Sequence, residues 1–275
     1  MTQGKIIFKT EEEIDLIRIS CQVACEAIAE AVKYIKPGVT GIFIDKIAEE
    51  YIKDKGGVPS FKGYGEPPFP GSLCLSINEA VVHGVPSDRP FEQGDVISID
   101  CGAYLNGFHG DVAYTVLLGK PDQAVLDLCI ATKHSLDLAV DKAFHGNRVG
   151  DIGYAVHQYI EKEKKYGVVR ELVGHGVGRE LHEAPDVANY GKRGNGVILK
   201  EGMVIAIEPM VNLGTRQVKT LKDNWTIVSK DKKPSAHYEH TVVVRKIRAE
   251  VLTNHTLIEE AIKNNKDLNE ISSKI

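Results

Sequence analysis

Two carboxylates stand in a segment whose pattern is otherwise that of a buried hairpin. The segment ISIDCGAYLNGFHGDVAYTV, residues 97–116, carries Asp100 and Asp111 on either side of an Asn-Gly pair. Asn-Gly between apolar runs predicts a two-residue hairpin turn, because both residues tolerate positive φ. With that pair at the turn, Asp100 faces Ala113 on the returning strand. Asp111 then points to the same face as Asp100, because side chains alternate with a period of two.

The chemistry that such a pair offers is metal binding. Diagonal neighbours on a sheet lie about 7–8 Å apart at the backbone, so their side chains can converge on one ion or on two neighbouring ions. Without a cation the two charges would repel, and the pKa of one carboxyl would rise. Taken alone, the hairpin favours two solvent-exposed aspartates on an open sheet face, so support for a metal must come from other residues.

Two further acids and one histidine favour the metal. Glu208 ends the apolar run MVIAIE, and Glu239 begins the β-branched run EHTVVV. Buried charges must be paired or must coordinate a metal, which is hard to arrange locally for four acids in apolar strands. His175 lies between glycines in VGHGVG, and flanking glycines let a backbone approach closely and leave room around the ring.

These five side chains predict a centre of two divalent ions. Four carboxylates and one imidazole suit Mn²⁺, Fe²⁺, Co²⁺ or Zn²⁺ rather than a thiolate site. The four carboxylates carry four negative charges. Two divalent ions balance that charge, whereas a single divalent ion would leave two charges unbalanced. A water held between two such ions loses a proton near neutral pH and attacks amides or phosphoesters.

The elements that position these residues predict an α+β fold. Thr10 and Glu13 form a capping-box pattern ahead of a helix that runs to Val32. Helical patterns also cover residues 44–55, 124–145 and 152–166, whereas 168–245 is mostly strands and loops. We expect one catalytic domain over residues 1–275, in which helices cover an antiparallel sheet, with a partly ordered polar tail at about 255–275.

A faint internal repeat predicts two related halves. Four residue types recur at an offset of 108 positions: Gly38, Ile44, Tyr51 and Ile52 match Gly146, Ile152, Tyr159 and Ile160. Both segments follow a long helix and precede a strand-rich region. The pattern indicates duplication of a unit of two helices followed by strands.

Composition excludes several functional classes. The net charge of −4 provides no overall basic field, so we expect no DNA partner. The sequence has no apolar run of the roughly 18 residues that a membrane span needs, and the charged start MTQGKIIFKTEEEID is not a signal peptide. Both observations predict a cytoplasmic protein. The five cysteines are scattered and odd in number, which favours small buried hydrophobes over disulfides or a zinc finger.

Five longer motifs carry a family resemblance: SINEAVVHGVP, GDVISIDCGAYLNGFHGDVAYT, GHGVGRELHEAP, IAIEPMV and SAHYEHTVVV. Together they resemble the type I methionine aminopeptidases, over residues 7–251. The resemblance implies a monomer with the pita-bread fold, whose halves are related by pseudo-two-fold symmetry. It also implies removal of the initiator methionine from nascent chains when the second residue is small.

The resemblance assigns roles to the five ligand candidates. Asp100 is implied to chelate one ion, Asp111 and Glu239 to bridge both, and His175 and Glu208 to complete the second. A metal-bridging hydroxide is implied to attack the scissile carbonyl carbon. The free α-amine of the substrate takes a position on a metal, which restricts cleavage to chain ends.

The resemblance also implies residues that touch substrate without ligating metal. The counterpart of His182 contacts the scissile carbonyl oxygen, the counterpart of His83 contacts the peptide nitrogen, and Glu208 passes a proton to the leaving amine. The methionine pocket maps to six positions: Phe61, Tyr64, Phe69, Cys74, Leu181 and Trp225. Leu181 replaces a common aromatic, and the loop GYGEPPFPG is longer than usual. A monovalent cation is implied near Asn78 and Ser235.

Other relatives and classes are weighed against this interpretation. Type II enzymes carry an insertion between the last two acids, for which the spacing of Glu208 and Glu239 leaves no room. Proline-specific relatives add an N-terminal domain with no counterpart in this sequence. A metal-dependent hydrolase of another substrate and a non-catalytic binding module on the same fold are the competing classes.

A basic cluster surrounds the single tryptophan, Trp225. Its members are Arg216, Lys219, Lys222, Lys230, Lys232 and Lys233. A solvated loop is the ordinary explanation of such charges. The alternative is ribosome docking through rRNA phosphates, which the substrate and the family resemblance motivate.

Overall fold

The computed structural model describes residues 4–271, and five α-helices are found there. They are α1 (Glu11–Val32), α2 (Gly41–Asp54), α3 (Gln123–Val140), α4 (Val149–His157) and α5 (His255–Lys263), and a π-helix over Gln158–Lys164 continues α4. The capping box predicted for α1 is confirmed, because Thr10 Oγ1 accepts from the Glu13 N–H and the Glu13 carboxylate accepts from the Thr10 N–H. None of the helices within residues 4–271 is long and apolar enough to cross a bilayer.

Short strands fill the intervals between the helices. In the described part of the chain they are β1 (Val58–Pro59), β2 (Leu73–Ile77), β3 (Ala80–Val82), β4 (Val96–Leu105), β5 (Phe108–Leu118), β6 (Gly167–Val168), β7 (Gly174–Gly176), β8 (Glu183–Val187), β9 (Val204–Ile207), β10 (Met210–Asn212), β11 (Val218–Thr220), β12 (Ile227–Ser229), β13 (Ser235–His237), β14 (His240–Val243), β15 (Glu250–Val251) and β16 (Leu268–Asn269). All of the pairings are antiparallel. One five-stranded sheet is built on the β4–β5 hairpin, and the other on β9 and β14.

The β4–β5 hairpin has the predicted register. Leu105 pairs with Phe108 around the turn, and Asp100 pairs with Ala113. Asn106 and Gly107 both have positive φ, at 51° and 85°. Asp100 and Asp111 therefore lie on one face of the sheet as diagonal neighbours.

Helix α1 packs on the opposite face of this hairpin. A Cβ atom on Gly110 would lie 2.2 Å from the backbone nitrogen of Cys21, so only glycine permits this approach. Ser20 Oγ donates to the Phe108 carbonyl at 3.0 Å. Consecutive residues of a strand point to opposite faces of the sheet. Since Gly110 faces α1, Asp111 points to the face away from the helix. The helical layer thus forms the back of the sheet, and the carboxylates lie on its inner side.

Hydrogen bonds repeat between the two halves at the predicted offset. The turn before α2 and the turn before α4 each begin with a glycine of positive φ, Gly38 at 87° and Gly146 at 94°. Both glycine N–H groups donate at 2.9 Å, to Phe91 O and to Leu199 O. Isolated bridges join Thr40 to Pro90 in the first half and Arg148 to Ile198 in the second. The expectation of two related halves is confirmed.

The C-terminal segment is more regular than its composition indicates. Within 255–271, α5 buries Ile258 and Ile262, and β16 pairs with the end of β5. Two apolar residues one helical turn apart are enough to dock the helix, although polar residues dominate the segment. Residues 272–275 lie outside the described part. The helical patterns at 124–145 and 152–166 extend past the observed α-helices, which end at Val140 and His157. All five cysteines are free and buried, as expected.

Candidate metal centre

All five candidate ligands line one cavity of about 340 Å³ between the two halves. Asp111 and Glu239 are 3% and 2% exposed, and His175 is 9% exposed. Asp100 and Glu208 are partly buried. The donor atoms of Asp111, His175 and Glu239 lie within 4.8 Å of one another. The structure thus brings together side chains that are separated by up to 139 residues in the chain.

Strand pairing explains why the four carboxylates meet. In the β9–β14 pair, Ile207 lies opposite His240, so the next step of the register places Glu208 opposite Glu239. The N–H of Glu239 donates to the Ala113 carbonyl at 2.9 Å. Ala113 is also the cross-strand partner of Asp100, so this residue links the acids of both halves. The carboxylates converge because the two sheets join at Ala113.

The backbone around His175 supports the predicted role of its flanking glycines. A Cβ atom on Gly174 would lie 2.4 Å from the Ala206 carbonyl oxygen, and one on Gly176 would lie 2.5 Å from the Ala184 carbonyl oxygen. His175 Nδ1 lies 2.9 Å from the Gly176 carbonyl oxygen and donates to it. The proton therefore lies on Nδ1, and the Nε2 lone pair is free to bind a cation.

The free nitrogen of His175 faces the acids. His175 Nε2 lies 3.9 Å from Asp111 Oδ2 and 3.6 Å from Glu208 Oε1. Burial lowers the pKa of His175 to about 3, so the ring is neutral near pH 7. A neutral imidazole does not neutralise the carboxylates, and the positive charge that the centre needs must come from elsewhere.

Burial shifts the pKa values of all four carboxyls upward. Burial raises the pKa of Asp111 to about 7. Burial, together with repulsion by neighbouring carboxylates, raises the pKa values of Asp100, Glu208 and Glu239 well above their ordinary values. Among the described residues, Asp100 Oδ1 and Glu239 Oε1 have no hydrogen-bond partner although both atoms are enclosed. Buried, unpartnered carboxylate oxygens beside a free imidazole nitrogen fit divalent cations.

His237 is a further site residue that the sequence interpretation did not assign. It is 1% exposed, and its Nε2 lies 3.6 Å from Glu208 Oε2. That nitrogen has no hydrogen-bond partner within residues 4–271. Its position two residues before Glu239 in an extended run was the available signal, because such residues share a face. The histidine lies beside the carboxylate that also approaches His175.

The six predicted pocket residues line the same cavity. Phe61, Phe69, Cys74 and Leu181 form a small buried cluster, and Trp225 packs against it. The rings of Phe69 and Trp225 meet edge to face, with centroids 5.2 Å apart. The apolar wall therefore lies directly beside the acids.

His83 and His182 lie in the cavity wall. His83 adopts a φ of 55°, a left-handed conformation that is uncommon for a residue with a Cβ. The next residue, Gly84, passes so close to the Leu75 carbonyl that a Cβ would lie 2.1 Å from it. His182 is exposed at the mouth of the cavity, and its ring meets that of His175 edge to face at 4.2 Å.

The other predicted sites have these positions in the fold. The Ser235 N–H donates to the Asn78 carbonyl at 2.9 Å, so the two residues named for a monovalent cation are neighbours. All six members of the basic cluster are exposed on and around the β11–β12 hairpin.

This fold and this donor set define a metallopeptidase. Residues 15–246 match the model of metallopeptidase family M24, and the chain belongs to that family. It is 47% identical over 249 residues to a methionine aminopeptidase of Clostridium acetobutylicum, and the aligned segment covers 90% of this chain and 98% of that protein. It is 46% identical over 248 residues to methionine aminopeptidase 1 of Bacillus subtilis, and this alignment covers 90% of this chain and 99% of that protein.

A solved structure agrees with the sequence relatives. The methionine aminopeptidase of Thermotoga maritima superposes with a TM-score of 0.88 at 38% identity, over 91% of this chain and 100% of that one. The pita-bread fold is therefore confirmed, as is the resemblance carried by the five motifs. Membership of a metallopeptidase family also agrees with the use of divalent metal at the acidic cavity.

Proposed function

We propose that this protein removes the initiator methionine from new polypeptides whose second residue is small. The observation that carries this proposal is an apolar pocket that lies directly beside the five candidate ligands in one cavity. Thioether sulfur favours the edges of aromatic rings, and Phe61, Phe69 and Trp225 supply such rings within the cavity. A methionine side chain in this pocket would direct its backbone toward the acids.

The donor set would hold two divalent ions, of which Co²⁺, Mn²⁺, Fe²⁺ and Zn²⁺ suit these ligands. Asp100, Asp111, His175, Glu208 and Glu239 are the proposed ligands. When bound, such ions supply an activated water and polarise the scissile carbonyl. The unpartnered oxygens of Asp100 and Glu239 support the assignment, because a cation would satisfy both. A monovalent cation is proposed separately beside Asn78 and Ser235.

The remaining polar groups are proposed to act on the peptide. His182, at the mouth, would donate to the scissile carbonyl oxygen and stabilise the negative charge that develops there. His83, held in its left-handed conformation, would contact the peptide nitrogen. Glu208 would carry a proton to the leaving amine, since its carboxylate lines the cavity beside the other acids.

Paired peptides test the activity. The Zn²⁺-loaded or Mn²⁺-loaded protein is incubated with Met-Ala-Ser and with Met-Lys-Ser, and free methionine is measured. Release from the first peptide only is the expected result. Release from neither peptide by metal-loaded protein would favour a hydrolase of another substrate or a non-catalytic binding module. Release from both peptides would contradict the requirement for a small second residue.

We also propose that the enzyme is a cytoplasmic monomer. Because its substrate is a new polypeptide, we propose that it acts while docked on the ribosome. The six exposed cations around β11 and β12 lie on the same segment as Trp225, which lines the cavity. None of them forms an ion pair in the described part of the chain. Unpaired lysines beside the cavity suit rRNA phosphates near an emerging chain.

Co-sedimentation with ribosomes tests this docking. The variant carries Lys219→Glu, Lys222→Glu and Lys230→Glu, and the expected result is loss of salt-sensitive co-sedimentation. The control carries Lys36→Glu, Lys120→Glu and Lys246→Glu, which change the net charge equally at exposed positions elsewhere. Equal binding by both variants would contradict docking through this segment.

A further inference from the structure

A tyrosine on the extended loop is hydrogen-bonded to the histidine at the mouth of the cavity. Tyr64 Oη lies 2.6 Å from His182 Nδ1. The two rings meet edge to face, with centroids 5.1 Å apart and an interplanar angle of 70°. The other side of the His182 ring contacts His175 at 4.2 Å, with an interplanar angle of 82°. His182 is thus held between two rings although it is exposed.

The loop that carries Tyr64 is pre-organised. The Phe69 N–H donates to the Tyr64 carbonyl at 2.8 Å, and the Gly63 N–H donates to the Phe69 carbonyl at 2.8 Å, which closes the loop on itself. Trp225 Nε1 donates to the Pro67 carbonyl at 3.0 Å. The loop is therefore fixed to the pocket wall, and the hydroxyl of Tyr64 has a defined position.

We propose that Tyr64 is a positioning residue that keeps the proton of His182 on Nε2. This inference rests on the proposed function, because it concerns how His182 presents a donor to the scissile carbonyl. A phenol O–H that donates to Nδ1 requires an unprotonated Nδ1. The single proton of the neutral ring is then on Nε2, which is the arrangement that donates to a carbonyl oxygen.

The Tyr64 phenol is able to donate at neutral pH, because burial and the nearby Glu180 carboxylate raise its pKa and it keeps its proton. His182 is exposed, and an exposed imidazole without a fixed partner exchanges between tautomers. The bond from Tyr64 removes that freedom before substrate binds, which is how a pre-organised donor lowers a barrier.

Nitrogen NMR of the protein tests the tautomer without reference to activity. The Zn²⁺-loaded protein is labelled with ¹⁵N-histidine, and the His182 signals are assigned with His182→Asn. We expect an unprotonated Nδ1 and a protonated Nε2 in the wild type. Tyr64→Phe should yield a mixture of tautomers. A wild-type His182 protonated on Nδ1 would overturn the proposal, whether or not the protein releases methionine.

Kinetics separate positioning from a purely structural role. Tyr64→Phe retains the ring and should lower kcat about three- to tenfold, the effect of one hydrogen bond, with little change in KM. Tyr34→Phe is the matched control, because Tyr34 is also 42% exposed and also packs edge to face on an aromatic ring. A change in KM alone, or a kcat equal to that of the control variant, would also overturn the proposal. Absence of methionine release by the wild type would contradict the proposed function and leave the NMR result standing.

Discussion

Asp100 and Glu208 occupy equivalent positions in the two halves, 108 residues apart in the chain. Each lies four residues after the start of its strand, since β4 begins at Val96 and β9 at Val204. The preceding turns also correspond, with Gly94 at a φ of 91° and Gly202 at 85°. Each of these acids also has a second acid across from it, Asp111 on β5 in the first half and Glu239 directly before β14 in the second. The four carboxylates of the donor set are thus one pair of acids in each half.

Asp111→Asn should have opposite effects on the metal-free and metal-loaded proteins. In EDTA it removes one of four buried, mutually repelling carboxylates, so the melting temperature should rise by about 2–4 °C for each kcal/mol of repulsion relieved. The amide oxygen still accepts the Val112 N–H, which Asp111 Oδ1 accepts at 3.1 Å. With Zn²⁺ the variant should gain less stability than the wild type, and turnover should be lost. Calorimetry with and without metal measures this, and near-native turnover would contradict the ligand assignment.

His175→Ala should abolish turnover and lower the metal content. The free Nε2 of His175 is the only nitrogen among the five proposed ligands, and alanine offers no replacement donor. His145→Ala is a suitable control, because His145 is exposed and lies outside the cavity. Atomic emission on dialysed protein measures bound metal alongside peptide hydrolysis. Full metal content in the His175 variant would remove this residue from the donor set.

The carboxyl of Asp111 should make the metal-free protein lose stability as pH rises from about 4 to about 7, relative to Asp111→Asn. Burial raises the pKa of Asp111 to about 7 in the folded state, above its unfolded value, so the folded state binds more protons in this range. The difference in slope between the two proteins should approach about 1.4 kcal/mol per pH unit for one full proton. Urea unfolding of both proteins in EDTA measures it, and an equal pH dependence in the two would contradict the assignment.

The buried histidines should act in the opposite direction on the metal-free protein. Burial lowers the pKa values of His175 and His237 to about 3, so between about pH 3 and pH 6.5 the unfolded chain binds protons that the folded chain does not. Each histidine should therefore lower the stability as pH falls through this range, and urea unfolding of His237→Ala beside the wild type in EDTA measures the contribution of one of them. The affinity for metal should rise with pH, because binding displaces protons from the carboxylates.

Gly65→Ala should impair substrate binding more than Gly63→Ala. Both glycines have positive φ in the same loop, 76° and 84°, so both variants carry backbone strain. A Cβ at Gly65 would lie 2.5 Å from Trp225 Cη2, whereas one at Gly63 meets nothing within 4 Å. The first variant should displace the loop from the pocket wall and lower kcat/KM more than tenfold relative to the second. Equal kinetics in the two variants would show that contact with Trp225 does not hold the loop.

His237→Ala should lower activity or metal affinity about 10- to 100-fold, which is typical of a residue that orients a ligand. His237 Nε2 is 3.6 Å from Glu208 Oε2, slightly beyond hydrogen-bond length, so a small rotation brings the two into contact. His237→Gln should recover part of the loss, because its amide nitrogen reaches a similar point and donates. Steady-state kinetics over a metal titration distinguish the two effects. Wild-type behaviour of the alanine variant would mean that Glu208 needs no support from His237.

Local chemistry explains which features were predictable from the sequence. The Asn106-Gly107 turn determines the β4–β5 register, so the shared face of Asp100 and Asp111 followed from alternation alone. The glycines around His175 similarly indicated a close approach of backbones, which the Ala206 and Ala184 carbonyls supply. These are short-range consequences of residue type.

The features that were not predictable depend on pairing between distant segments. The spacing of His237 and Glu239 predicts only a shared face, whereas the approach of His237 to Glu208 depends on the pairing of β13 with β10. The hydrogen bond between Tyr64 and His182 joins residues 118 positions apart and depends on the path of an irregular loop. Helix α5 was missed because its polar residues outnumber the few apolar side chains that dock it. In each case tertiary contacts decided the outcome.

The link between Glu239 and Ala113 has a consequence for biosynthesis. The last acid of the centre is held by a main-chain hydrogen bond to the first half of the chain. During translation, the early hairpin with its two aspartates therefore emerges long before the glutamate that completes the cluster. A nascent copy of the enzyme therefore stays inactive until its second half has left the ribosome and has packed against the first half. Activity is acquired late in the synthesis of the chain.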